Sequence, residues 1–110
     1  MQSIYRLKKN YQYNYVYKHA QSVADRNFVM LYCSSNSDKT KFGFSVSKKY
    51  GKAVARNRIR RQMKAALSSI VDDIVVGYNV IFIPRRHEAY LFCDVLASVK
   101  SLLNKAGLLQ

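Results

Sequence analysis

The sequence predicts one small domain of mixed helices and strands, in the order α-β-β-α-β-α, on three observations. Its 110 residues suffice for a single core over residues 1–110 and leave no room for a second domain. Three short runs, at residues 27–34, 41–47 and 77–83, have strand character, and two long stretches, 53–71 and 88–106, repeat their apolar residues at helical spacing. Hydrophobic residues make up 49% and charged ones 23%, with four Gly and one Pro, which is the usage of a folded chain and not of a disordered one.

Residues 10–20 admit two readings. Tyr11, Tyr13, Tyr15 and Tyr17 alternate as in a strand, whereas Tyr13, Val16, Tyr17 and Ala20 recur on one helix face; Asn10, a good N-cap, favours the helix. Phe28-Val29-Met30-Leu31-Tyr32-Cys33 reads as a strand, and the polar stretch Ser34-Ser35-Asn36-Ser37-Asp38-Lys39 as its turn. Residues 41–47 put Phe42, Phe44 and Val46 on one face and Gly43, Ser45 and Ser47 on the other, and predict a hairpin with the strand before. A basic loop, Lys48-Lys49-Tyr50-Gly51-Lys52, leads into the helix over 53–71, whose apolar stripe is Ile59, Met63, Ala66 and Ile70. Val80-Ile81-Phe82-Ile83 forms the next strand, closed by Pro84-Arg85-Arg86. The last helix, from about Glu88 to Ala106, carries Phe92, Val95, Leu96, Val99 and Leu103 on one face, and Gly107 stops it. A further short strand fits near Val23 or around Lys48.

Charge separates the chain into two parts. Residues 1–64 hold fifteen basic and two acidic side chains, the whole of the net +13, while residues 65–110 hold four of each. Such an excess raises the local potential for a polyanionic partner. No apolar run approaches the roughly 18 residues of a bilayer span, and Met1-Gln2-Ser3-Ile4-Tyr5-Arg6 lacks the apolar core of a signal peptide, so a cytoplasmic protein with no membrane partner is expected. Cys33 and Cys93 have no CxxC spacing and sit among apolar neighbours, which predicts buried thiols.

Between Lys48 and Lys64 stand eight Lys and Arg in seventeen residues, with no acid. At roughly 100° per residue, Asn57, Arg58, Arg61 and Lys64 fall opposite the apolar stripe, with Arg56 and Arg60 on one shoulder. A charge run is usually a solvated face. Here the self-repulsion has no acidic partner at i,i+4 to relieve it, so an external anion is the expected relief. Guanidinium and amide groups suit phosphate oxygens and base edges.

The run Phe44-Ser45-Val46-Ser47-Lys48-Lys49-Tyr50-Gly51-Lys52-Ala53-Val54-Ala55-Arg56-Asn57-Arg58-Ile59-Arg60-Arg61 resembles the S-V-S-K-K-x-G-x-A-V-x-R-N-R-x-[KR]-R signature of the bacterial ribonuclease P protein subunit. Upstream, Arg6-Leu7-Lys8-Lys9-Asn10, Val16-Tyr17-Lys18-His19 and Ser22-Val23-Ala24-Asp25-Arg26-Asn27-Phe28-Val29 are similar to that family too, as is the strand from Val80 to Arg85. Leu31 stands where relatives often carry an aromatic, Asn79 where Asp is usual and Pro84 where Ala is usual.

The resemblance implies an α/β fold, a two-layer α+β sandwich of the αβββαβα type, with a left-handed βαβ crossover at the basic helix. It settles residues 10–20 as helix. It implies an endoribonuclease that works as a ribonucleoprotein, in which a catalytic RNA with Mg2+ removes the 5′ leader of precursor tRNA and the protein supplies no catalytic residue and no metal site. On this resemblance Tyr13, Tyr17, Val29 and Arg60 border a cleft for the leader, and Lys49, Lys52, Arg56, Asn57, Arg58, Arg61 and Lys64 bind the catalytic RNA.

Other chemistries have little support in the residues. Six acids offer no cluster for metal-dependent hydrolysis; Asp72-Asp73 is expected in solvent at the end of the basic helix, and His19 and His87 are expected in exposed polar segments instead of forming an acid-base pair. Tyr11 and Tyr15 are expected to cover surface outside the cleft. No small-molecule substrate is expected. The alternative is a non-catalytic RNA-binding module, such as a ribosomal protein or an RNA chaperone, because fold alone does not imply function.

Overall fold

The computed structural model describes residues 5–85 and 90–110. Helix α1 spans Asn10–His19 and is followed by strands β1 (Gln21–Ala24), β2 (Phe28–Ser34) and β3 (Lys41–Phe44). A 3-10 turn, Lys48–Tyr50, enters helix α2 (Ala53–Ile70); a second, Val71–Asp73, leaves it for strand β4 (Tyr78–Pro84) and helix α3 (Phe92–Lys105).

The sheet runs β1-β2-β4-β3. β2 pairs antiparallel with β1 and with β4, and β4 pairs parallel with β3. The hairpin expected between residues 27–34 and 41–47 therefore does not form. β4 takes the central place because Val80, Ile81 and Phe82 are fully buried, as an apolar run with both faces covered requires. The polar link between β2 and β3 wraps over the start of β4 instead of turning tightly: Ser35 N donates to Gly77 O, and the Thr40 hydroxyl donates to Val75 O and accepts from Tyr78 N. β3 thus reaches the far edge of β4, and α2 is the crossover between the two parallel strands.

Alternation along the strands creates two unlike faces. Phe28, Met30, Phe42, Val80 and Phe82 meet Ile59, Met63, Leu67, Val95, Val99, Leu102 and Leu103 of α2 and α3 in the main core. On the other face Ile81 is buried with Val16 of α1 and with Leu7, and Tyr13, Leu31, Cys33 and Ile83 pack around them. The result is an α/β sandwich in which α2 and α3 form the helical layer and α1 lies on the opposite face.

Several local expectations change. The helix at residues 10–20 is N-capped by Lys9 and not by Asn10, its first helical residue, and Gln12 Oε1 accepts from the Lys8 and Lys9 backbone N–H groups at 3.0 Å to close the first turn. β3 ends at Phe44, short of the expected Ser47, although Ser45 N still donates to Phe82 O at 3.0 Å. The extra short strand is β1, around Val23, while Lys48 falls in a 3-10 turn. The expected start of the last helix at Glu88 lies outside the described residues; α3 is capped at Leu91, and Phe92 is 42% exposed, off the apolar face assigned to it. Cys33 is half-buried and Cys93 exposed, so the second of the two is not the interior thiol expected. Gly107 ends α3 as expected, in the left-handed region at φ 75°.

Candidate nucleic-acid interface

α2 separates anchoring from exposure by face. Ile59, Met63, Ala66, Leu67 and Ile70 are buried, while Asn57, Arg58 and Arg61 are exposed on the outer side and Arg56, Arg60 and Lys64 are half-buried on the shoulder. Lys49 and Lys52 are exposed in the loop before it. Arg56 Nη1 donates to Gly51 O at 2.7 Å and so ties the loop to the first turn; a guanidinium has five N–H donors, so this bond uses only part of it. Arg60 Nη1 donates to Asn57 Oδ1 at 3.2 Å.

Lys64 departs from its assigned place opposite the stripe. Burial, and then the nearby Arg6 and Arg60 guanidinium groups, hold its ammonium below the usual lysine range. Arg6 was not assigned to the site, and no local pattern could have put it there. It arrives because the N-terminal segment runs beside β3, with Leu7 N donating to Phe42 O at 2.8 Å. Arg6, Arg60 and Lys64 thereby form one cationic cluster with no acid among them.

The expected leader cleft lies on the α1 side of the sheet. Val29, half-buried, stands across from Ala24 on one neighbour and Ile83 on the other, with Leu31 two residues along the same face. Tyr13 is half-buried, and its hydroxyl accepts from Phe44 N at 3.3 Å. Its ring fills the space over Gly43, where an added Cβ would come within 2.7 to 2.8 Å of the ring atoms and hydroxyl. Tyr17 is 48% exposed, with its ring centroid 6.4 Å from that of Tyr13 and the planes tilted by 41°. Tyr13, Tyr17 and Val29 thus share one side of the sheet, whereas Arg60 belongs to the cluster with Arg6 and Lys64. Leu7, packed under α1 beside Val16 and Ile81, is the covalent neighbour that connects that cluster to the cleft. Ile83 and Gly43 escaped sequence reasoning, because only strand pairing sets them beside Val29 and Tyr13.

Tyr11 and Tyr15 are exposed, as expected, but Tyr15 does more than cover surface. Its ring lies 4.4 Å from that of His19, and both line a cavity of about 410 Å3 with Gln21, Tyr32, Cys33 and Tyr78. Burial pushes the Cys33 thiol up, away from the thiolate form. His87, considered with His19 as an acid-base pair, lies outside the described residues. Asp72 and Asp73 are exposed, and among the described residues no three His, Cys, Asp or Glu side chains are grouped to hold a metal ion. Nor is any helix among them long and apolar enough to cross a membrane.

Three comparisons bear on this arrangement. Residues 1–107 match the family model described as Ribonuclease P. The ribonuclease P protein component of Carboxydothermus hydrogenoformans is 44% identical over 81 residues, covering 72% of this chain and 70% of that protein. That of Clostridium kluyveri is 37% identical over 108 residues, covering 96% of each. Among solved structures, the Staphylococcus aureus RNase P protein superposes with a TM-score of 0.88 at 32% identity, over 96% of this chain and 98% of that one. The Thermotoga maritima RNase P protein superposes with a TM-score of 0.84 at 26% identity, over 91% and 96%.

Proposed function

The chain belongs to the ribonuclease P family as its protein subunit, and from that premise we propose that it binds the catalytic RNA through α2 and receives the 5′ leader of precursor tRNA between α1 and the sheet. It is part of a ribonucleoprotein, and its partner is RNA. In this reading the RNA carries out the hydrolysis with its own Mg2+, and the protein contributes binding and position.

The observation that carries the reading is the outer face of α2. Arg58 and Arg61 stand in solvent above a fully buried inner face, in a stretch of seventeen residues that holds eight cations and no acid. A fold gains nothing from such self-repulsion, whereas a phosphate backbone relieves it and releases its own counterions. The α1 side has the complementary character, with exposed aromatic rings beside an apolar strand surface, which is how single-stranded RNA is commonly held. With these partners the protein is cytoplasmic, works as one domain and needs no cofactor of its own.

Recovery of the RNA that co-purifies from the host tests the partner. One large RNA able to cleave precursor tRNA in Mg2+ is the expected result, and recovery of ribosomal RNA would overturn it in favour of a general RNA-binding module. The purified protein freed of RNA is expected to leave precursor tRNA intact, with cleavage appearing on addition of that RNA and Mg2+. Cleavage by the protein alone would defeat the division of labour.

A further inference from the structure

The head of α2 holds a cavity that the signature does not account for. It measures about 370 Å3 and is lined chiefly by Tyr50, Lys52, Val54, Arg58, Gln62 and Tyr90. That volume lies in the range of small-ligand sites, roughly 300–1,000 Å3. Tyr50 and Lys52 stand at open positions of the pattern S-V-S-K-K-x-G-x-A-V, so the signature itself assigns neither the ring nor the cation to this cavity.

Its floor is rigid. Tyr90 is buried, with its ring stacked on Phe28 at 5.5 Å and its hydroxyl directed to the backbone oxygens of Asn27 and Arg85 at 3.1 and 2.8 Å. Burial, followed by the neighbouring Tyr50 and Asp25 and opposed by Arg85, pushes the Tyr90 phenol up to about 12, so it stays neutral. Gln62 Nε2 donates to Tyr90 O at 2.9 Å, which commits one N–H of the amide and not its oxygen. Tyr50 is half-buried and also borders a second cavity of about 420 Å3 with Ser47, Lys49 and Pro84. Arg58 and Lys52 are exposed beside it.

We propose that this cavity receives one unpaired nucleobase of the RNA bound on α2, stacked against Tyr50, with Arg58 and Lys52 on the phosphates that flank it. The proposal rests on the reading of α2 as the face that binds the catalytic RNA. The lining, two tyrosines and apolar side chains with one amide and two cations, suits a ligand that combines an apolar ring, a polar edge and neighbouring anions. An unstacked base in a polynucleotide meets all of these conditions: ring stacking, an edge hydrogen bond at the Gln62 amide, and phosphates toward the two cations. A phosphate contact alone would leave the Tyr50 ring and the apolar lining without a role.

The test uses the protein reassembled with its RNA. Short-wave ultraviolet irradiation of the unaltered complex is expected to attach the peptide containing Tyr50 to a single unpaired nucleotide. Tyr50→Leu keeps an apolar side chain but removes the ring, and is expected to weaken RNA binding roughly 5- to 150-fold with the salt slope unchanged, the loss associated with one stacking contact. Tyr50→Phe is expected to bind as the unaltered protein does. If the unaltered complex keeps a steep salt dependence but no nucleotide attaches at Tyr50, the base site is overturned and the RNA-facing role of α2 stands. If binding shows no salt dependence at all, the reading beneath it falls as well. Because the cross-link needs no substitution, a Leu variant that folds poorly does not blunt the test.

Discussion

α1 and α2 pack on opposite faces of one sheet and are built on opposite plans. α2 runs for 18 residues and buries five side chains, so its outer face is free to carry charge without any duty to the core. α1 runs for ten and buries only Val16 completely. Its tyrosines therefore divide the work unequally: Tyr13 wedges over Gly43 and accepts a hydrogen bond from Phe44 N, while Tyr17 stands 48% exposed. On α2 the residues that hold the fold and those proposed to meet RNA occupy different faces. On α1 the proposed leader contact and the packing role fall on a single ring, Tyr13. Charge acts at long range and is screened by salt, whereas a stacked ring acts only in contact, so the two helices should respond differently to the same perturbations.

The largest effect should come from the inner face of α2. Met63 is fully buried, and Met63→Ala is expected to lower stability by about 2–5 kcal/mol. In thermal melts the midpoint should fall sharply, while RNA binding by the folded fraction keeps its salt slope; a flatter slope would show that the two faces are not independent.

Gly43→Ala strikes the overlap on α1. Its Cβ would come within 2.7 Å of the Tyr13 hydroxyl, and overpacking of this kind costs about 1–3 kcal/mol. Both the melting midpoint and the preference for leader-bearing over mature tRNA are expected to drop. A drop in stability with the preference intact would remove Tyr13 from the cleft.

Tyr17→Ala should separate what Gly43→Ala combines. The ring is half exposed, so the melt should barely move, while binding of precursor tRNA is expected to weaken by on the order of 1–3 kcal/mol relative to leaderless tRNA. Equal weakening of both RNAs would place the ring outside the leader path.

The smallest change concerns single cations. Arg61→Gln is expected to flatten the slope of log affinity against log salt by roughly 0.7 to 0.9 and leave the melt unchanged, because Arg61 is exposed and on the outer face. Arg56→Gln should flatten the slope and also loosen the loop, since its guanidinium holds Gly51 O. An Arg61 variant with an unaltered slope would mark that position as merely solvated.

Much of this division was legible in the chain. The apolar stripe of Ile59, Met63, Ala66 and Ile70 and the cationic residues opposite it follow from helical geometry alone, because both sets lie within one continuous helix. The strand character of residues 28–33 and 80–83 was equally local, as was the helix stop at Gly107. Residues 10–20 were not decidable from their periodicity, because tyrosines at alternate positions satisfy a strand while Tyr13, Val16, Tyr17 and Ala20 satisfy a helix. Gln12, which closes the first turn from Lys9, was the missed local signal.

Strand pairing lay beyond that reach. Period-two patterning states which face of a strand is buried but not which strand lies beside it, so β3 was assigned to β2 when it belongs on the far edge of β4. That single exchange decides where Gly43 sits, and hence what Tyr13 packs over. The same holds for Arg6 beside Lys64 and for Tyr90 beneath Tyr50, pairs separated by dozens of positions in the chain. Sequence by itself determined the character of each surface, cationic on α2 and aromatic on α1, since side-chain chemistry and helical period are properties of neighbouring residues. Tertiary structure alone decided which residues share a cleft, a cluster or a cavity, since those depend on contacts between segments that local periodicity does not encode.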